Sequence, residues 1–182
     1  MSKKHYIITS ITLGAIAAVS AGIIGLTNLI TRGPIAKNEQ KRIKKGIAEI
    51  FGENAEIVNE FEINDKDYKY LVYGYEIKND ESEANKYAIR TLGSNTYGKV
   101  SLLIGVSSDS SEADFVFNRL TVIVDEQTYA STLEDEYIDV INAKPTQENI
   151  DDVSCGATYG ATLVRDMINV TIDYANNVLR NG

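Results

Sequence analysis

From Tyr6 to Thr31 the chain carries no charged side chain, and Ile, Leu, Ala and Gly dominate that stretch. A run of this kind has few ways to fold. About 20 apolar residues in a helix cross the ~30 Å hydrocarbon core of a bilayer, and this run is long enough to do so with some tilt. The expectation is an uncleaved transmembrane anchor over residues 1–31. A cleaved signal peptide is the alternative, since Lys3 and Lys4 supply a basic start and Val19-Ser20-Ala21 suits a signal peptidase. Against cleavage, the apolar run continues through Gly22-Ile23-Ile24-Gly25-Leu26 without a polar break. Gly14, Ala18 and Gly22 lie one helical turn apart. Small residues so spaced let membrane helices approach closely, although Gly and Ala are also simply frequent in such helices.

Charge divides the chain in two. Residues 1–45 sum to +7 and residues 46–182 to −15, within a net charge of −8. The basic stretch Arg32, Lys37, Lys41, Arg42, Lys44 and Lys45 suits anionic headgroups. The acidic remainder lacks the basic footprint of a nucleic-acid-binding domain. Counted near the helix ends, Lys and Arg alone place that remainder in the cytoplasm, but long domains translocate largely regardless of charge. Cys155 is the only cysteine and His5 the only histidine. An intramolecular disulfide, a Cys-x-x-Cys pair and a thiolate zinc cluster are therefore excluded. With no histidine beyond residue 5, a Ser-His-Asp triad or a His-ligated metal in the acidic domain is excluded too.

Arg32-Gly33-Pro34-Ile35 reads as a break, and Ile43, Ile47, Ile50 and Phe51 then recur at helical spacing, predicting an amphipathic helix over 36–51. From 57 to 124 the pattern changes to strands. Leu71, Tyr73, Tyr75 and Ile77 alternate, 86–92 and 99–106 flank the turn Ser94-Asn95-Thr96-Tyr97-Gly98, and 115–124 is a further strand. Thr128 is placed to cap a helix running to Asp139, supported by Leu133, Tyr137 and Ile141. The stripe Val164, Ile168, Ile172, Ala175 and Leu179 predicts a final helix over 159–180 that closes the core.

The segment before that helix, Asp152-Val153-Ser154-Cys155-Gly156-Ala157-Thr158, carries the chemistry. Helix N-termini receive phosphates, because free N–H groups and the positive dipole end meet there. Gly156 and Ala157 are small enough for close backbone approach, and Thr158 offers a hydroxyl that needs activation before it acts as a nucleophile. Phosphoryl transfer to it also needs charge neutralisation, usually by Mg²⁺, which these seven residues do not supply. Read as structure alone, the same residues are a turn and an N-cap. A second Gly160-Ala161-Thr162 lies four residues on, but its sixth preceding position is Gly156 rather than an acid.

An acidic residue six positions before the Thr of a Gly-Ala-Thr resembles the flavinylation motif of the FMN-binding domain family. That family includes the RnfG subunit of the Rnf ion-translocating oxidoreductase complex and a related subunit of the Na⁺-translocating quinone reductase. The resemblance implies FMN held on Thr158 by a phosphoester, with Asp152, Ser154, Cys155, Gly156 and Ala157 forming the attachment segment and a separate flavin transferase installing the cofactor. Cys155 stands where the family usually has Ser or Thr. In the family, the region corresponding to Asp125–Leu133 often reads Glu-Thr-Pro-Gly and lines the flavin. Glu126, Thr128 and Thr132 are its counterparts here, and the Pro-Gly is missing. The chain has eleven Tyr and no Trp. An aromatic face can lie on an isoalloxazine ring, but packing in the core or on a strand is the expectation for any single Tyr, Tyr159 included.

The expected protein is thus α+β: a single N-terminal transmembrane helix, then over 32–182 an extracytoplasmic FMN-binding domain with an antiparallel sheet and flanking helices. Its expected place is the cell membrane, beside other membrane redox subunits of an Rnf-like complex that couples electron transfer to ion translocation. It acts there as a redox carrier rather than an independent enzyme. The sequence also admits two other readings: a free-standing anchored flavoprotein that reduces an extracellular acceptor, and a flavin-free tethered binding domain in which Thr158 is only a cap.

Overall fold

The computed structural model describes residues 3–79, 84–110, 113–145, 150 and 155–181, with side chains left undescribed at 3–9, 24–36 and 181. The chain divides into two compact units, 1–41 and 42–182. The first consists of most of helix α1 (Lys3–Phe51). Ile11, Leu13, Ile16, Val19 and Ile23 are exposed on it.

Among the described residues no helix is long and apolar enough to cross a membrane. This overturns the expected transmembrane anchor over 1–31, and with it the single-pass cell-membrane topology and the extracytoplasmic placement of residues 32–182. Within the part of 1–31 with described side chains, residues 10–23, the apolar side chains are interspersed with the hydroxyls of Ser10, Thr12 and Ser20, which lower the apolarity a span requires. The expected break at Arg32–Ile35 is also absent, since α1 is helical throughout. Pro34 removes one N–H donor without ending the helix.

The second unit is built on a five-stranded antiparallel meander in the order β1 (Glu56–Glu62), β2 (Leu71–Lys78), β3 (Asn85–Asn95), β4 (Gly98–Ser108), β5 (Val116–Asp125). After β5 come a helical turn α2 (Ala130–Leu133), a π-turn (Glu134–Ile138), α3 (Asp139–Asn142) and the long α4 (Thr158–Asn177), which ends in a 3₁₀ turn (Leu179–Asn181). The strands expected between 57 and 124 are present.

β4 explains the layering. Its side chains alternate between two cores, as a strand's period of 2 demands. Val100, Leu102, Ile104 and Val106 face α4 and the α2–α3 segment, meeting Leu133, Val164, Met167 and Ile168. Leu103 faces the other way, onto Ile43, Ile47 and Phe51 at the C-terminal end of α1. On that side Gly105 has no side chain, so Ile50 packs directly against the strand. The fold is helix–sheet–helix, with β4 buried in the middle.

Three asparagines pin irregular segments to this frame. Each side-chain amide accepts from the N–H and donates to the C=O of a single residue: Asn142 on Leu120 at 2.9 and 3.0 Å, Asn176 on Phe115 at 2.7 and 3.2 Å, and Asn169 on Ile150 at 2.8 and 2.9 Å. The last lies close to the candidate segment Asp152–Thr158, because Ile150 precedes it and Asn169 lies on α4. Replacing Asn169 with Ala leaves two backbone groups of Ile150 to find other partners. The expected loss is about 1–2 kcal/mol, seen as a lower urea midpoint at unchanged slope.

Candidate functional site

Thr158 is the first residue of α4 and is exposed. Its Oγ1 donates to the Cys155 carbonyl at 2.9 Å. The N-cap is Ala157, which has no side chain able to cap, so Thr158 does not fill the capping role of the purely structural reading. Asp152 and Ser154 lie outside the described residues, as does Val153.

The departure at Cys155 has a local explanation. Its half-buried Sγ accepts from the Ala157 N–H at 3.2 Å and lies 3.8 Å from the Thr132 carbonyl, to which it donates. A hydroxyl would make the same pair of contacts. The thiol therefore preserves the turn that delivers Thr158 to the helix start.

Gly156 brings in a residue the sequence did not single out. Its N–H donates to Glu136 Oε2 at 2.8 Å, so a carboxylate already rests on a backbone N–H just ahead of α4. Glu136 comes from the π-turn, a helical irregularity common at functional sites. The packing of Leu133 beneath Gly160 helps hold that turn against the start of α4, and no motif announces it.

Gly156, Ala157, Thr158, Tyr159 and Gly160 form one wall of a cavity of about 190 Å³. The others are Tyr97 from the β3–β4 turn, Gln127 and Tyr129 from the β5–α2 loop, and Leu133 beneath. The volume is below the ~300–1,000 Å³ of pockets that engulf a whole small ligand, so it has room for only part of such a ligand.

That rim is aromatic. The Tyr97 ring centroid is 5.4 Å from that of Tyr159 and 6.1 Å from that of Tyr129. Against the expectation of core or strand packing, Tyr159 is 68% exposed, and Tyr129 is 56% exposed.

Of the loop residues expected to line a flavin, Glu126 and Thr128 are absent from this cavity, whose wall takes Gln127 and Tyr129 instead. Glu126 is exposed, with its N–H on the Lys99 carbonyl at 2.8 Å. Thr128 directs its hydroxyl to the Tyr97 carbonyl at 3.1 Å. It is therefore not the expected helix cap, and Tyr129 occupies the N-cap of α2. Thr132 lies beside Gly156, where its Cγ2 would be 3.3 Å from an added Cβ.

At the back of the loop, Asp125 Oδ1 accepts from the Gln127 N–H at 2.7 Å, whereas Oδ2 is buried with no hydrogen-bond partner among the described residues. Burial raises the carboxyl above its ordinary 3.8, with the Gln127 bond pulling the other way. The folded state then holds its proton to higher pH than the unfolded chain. Its contribution to stability is complete below the unfolded value and is lost as pH rises through the folded one. Asp125→Asn is expected to flatten the stability profile across that acid window, measured as urea midpoints at stepped pH.

No curated protein matches the chain. Residues 1–50 match the family model of the RnfG N-terminal region, a stretch separate from Asp152–Thr158. Through that match the chain resembles the RnfG subunit of the Rnf complex, which supports an Rnf-type subunit acting in electron transport among the other subunits of such a complex.

Proposed function

We propose that this chain is the FMN-carrying electron-transfer subunit of an Rnf-type complex that couples electron transfer to ion translocation, with FMN joined to Thr158 Oγ1 through a phosphoester. The observation that carries the reading is the setting of Thr158. An exposed hydroxyl stands at the first position of a long helix, on the wall of a part-apolar cavity with an aromatic rim. The match of residues 1–50 supports it from the other end of the chain.

The residues present fit the group. The start of α4 offers N–H groups and the positive dipole end to a phosphate, while the Gly156 N–H just ahead of it is taken by the Glu136 carboxylate. Gly156 and Ala157 leave room around the phosphorus. When bound, FMN supplies the electron-carrying chemistry, while the protein supplies position and tuning. Attachment forms a Thr158 Oγ–P bond and breaks the P–O bond of a flavin dinucleotide donor, whose nucleoside monophosphate leaves and takes up the hydroxyl proton, for a net gain of FMN less water. A separate flavin transferase performs that step.

The test is intact mass of the full chain produced with a flavin transferase. A gain of one FMN less one water supports the reading. An unchanged mass, with the transferase active on another substrate, overturns it in favour of a flavin-free binding domain.

A further inference from the structure

We infer that Tyr97, Tyr129 and Tyr159 form the seat of the isoalloxazine ring, a planar aromatic group laid across the cavity rim beside Thr158. This rests on the Thr158 reading and goes beyond it, since attachment fixes only the phosphate and leaves the ring free to lie anywhere its tether reaches.

The three phenols come from three separate elements: the β3–β4 turn, the β5–α2 loop and the first turn of α4. They converge with centroid spacings of 5.4 and 6.1 Å, inside the range over which aromatic rings attract one another. The interplanar angles are 41° and 56°, so the rings form an open, tilted cluster rather than a closed stack. Two of the three are more than half exposed, leaving apolar ring surface in water that a further ring would cover.

The cluster is held from behind. The Tyr97 N–H donates to Asn95 Oδ1 at 2.8 Å, while Asn95 Nδ2 donates to the Tyr159 carbonyl at 3.1 Å. The Tyr97 carbonyl receives the N–H and the hydroxyl of Thr128 at 3.0 and 3.1 Å. One asparagine thus ties the hairpin turn to α4, and Thr128 ties the turn to the loop. The rings stand on a braced frame, and pre-organisation of this kind reduces the ordering cost of binding. Tyr159 adjoins the attachment residue, so a ring tethered at Thr158 meets the cluster directly.

A tyrosine in contact with an isoalloxazine quenches its emission, so fluorescence reports the seat independently of electron-transfer activity. The experiment compares full-length parent, Tyr129→Ala, Tyr159→Ala and the double variant, each produced with the transferase, by intact mass and flavin emission. Both side chains are largely exposed, so these variants are expected to fold. The expected result is a full mass gain in all four, emission in the parent severalfold weaker than free FMN, and recovery of emission in the variants, greatest in the double.

Substituting Phe at both positions keeps an aromatic face but removes the readily oxidised phenol. It should raise emission while leaving the perturbed visible absorbance bands in place. Full attachment with parent emission equal to that of free FMN overturns the ring seat and leaves Thr158 standing. Unchanged emission in the double alanine variant does the same. No mass gain in the parent overturns the attachment and the seat together.

Discussion

Thr158→Ala is expected to abolish covalent flavin completely, leaving the chain at its unmodified mass beside an active transferase, while Thr162→Ala still gains one FMN. Two Gly-Ala-Thr sequences lie four residues apart, and the structure separates them. Thr158 opens α4 and lines the cavity. Thr162 sits one turn inside the helix, and its hydroxyl donates to the Thr158 carbonyl at 2.8 Å. No free N–H groups surround Thr162, because helix-interior amides are already bonded.

Serine at 158 retains a hydroxyl at the same place and should restore a measurable part of the mass gain, which tests chemistry rather than shape. The Thr158 side chain is exposed and bonds locally to Cys155, so the alanine variant should keep the parent's unfolding free energy to within ~0.5 kcal/mol. Equal mass gain in Thr158→Ala and parent would move the attachment elsewhere.

Gly98→Ala should produce the largest loss of stability, on the order of 2–5 kcal/mol. Gly98 opens β4 with φ at +139°, a region that residues with a Cβ rarely enter. The added methyl would also overlap the Glu126 carbonyl, which is backbone and cannot rotate away. The damage reaches the site. Gly98 O accepts from Gln127 Nε2 at 2.6 Å, and forcing residues 126–127 outward moves the wall that carries Gln127 and Tyr129. Urea denaturation reads the first effect. Where the variant still folds, intact mass should show FMN attached, because Thr158 stands on a different element, and flavin emission should rise as the tyrosine cluster opens. A urea midpoint equal to the parent's would refute the steric argument.

The elements most legible in the sequence are those whose signal is local and periodic. The β3–β4 hairpin was marked by its turn residues and alternation, and α4 by its apolar stripe. The segment Asp152–Thr158 stood out for the same reason, as seven consecutive residues that run into the start of a helix. At 126–129, sequence reasoning pointed to Glu126 and Thr128, whereas the cavity is lined from this loop by Gln127 and Tyr129. A loop has no fixed period, so nothing in its sequence says which neighbour turns inward. The charge-free run from Tyr6 to Thr31 led to the opposite error. Composition suggested a membrane span, and no described helix meets the length and apolarity of one.

By itself, then, the sequence determined the antiparallel strand region, the closing helix and the hydroxyl at its start, because backbone periodicity and capping chemistry act between near neighbours. Only the tertiary structure brought Glu136 to the Gly156 N–H and Tyr97 to the rim beside Tyr159. It linked the hairpin turn to α4 through Asn95 and Tyr159, which are 64 residues apart. Contacts of that kind arise from how the two faces of β4 are covered, and burying both faces at once is a property of the packed domain rather than of any segment within it.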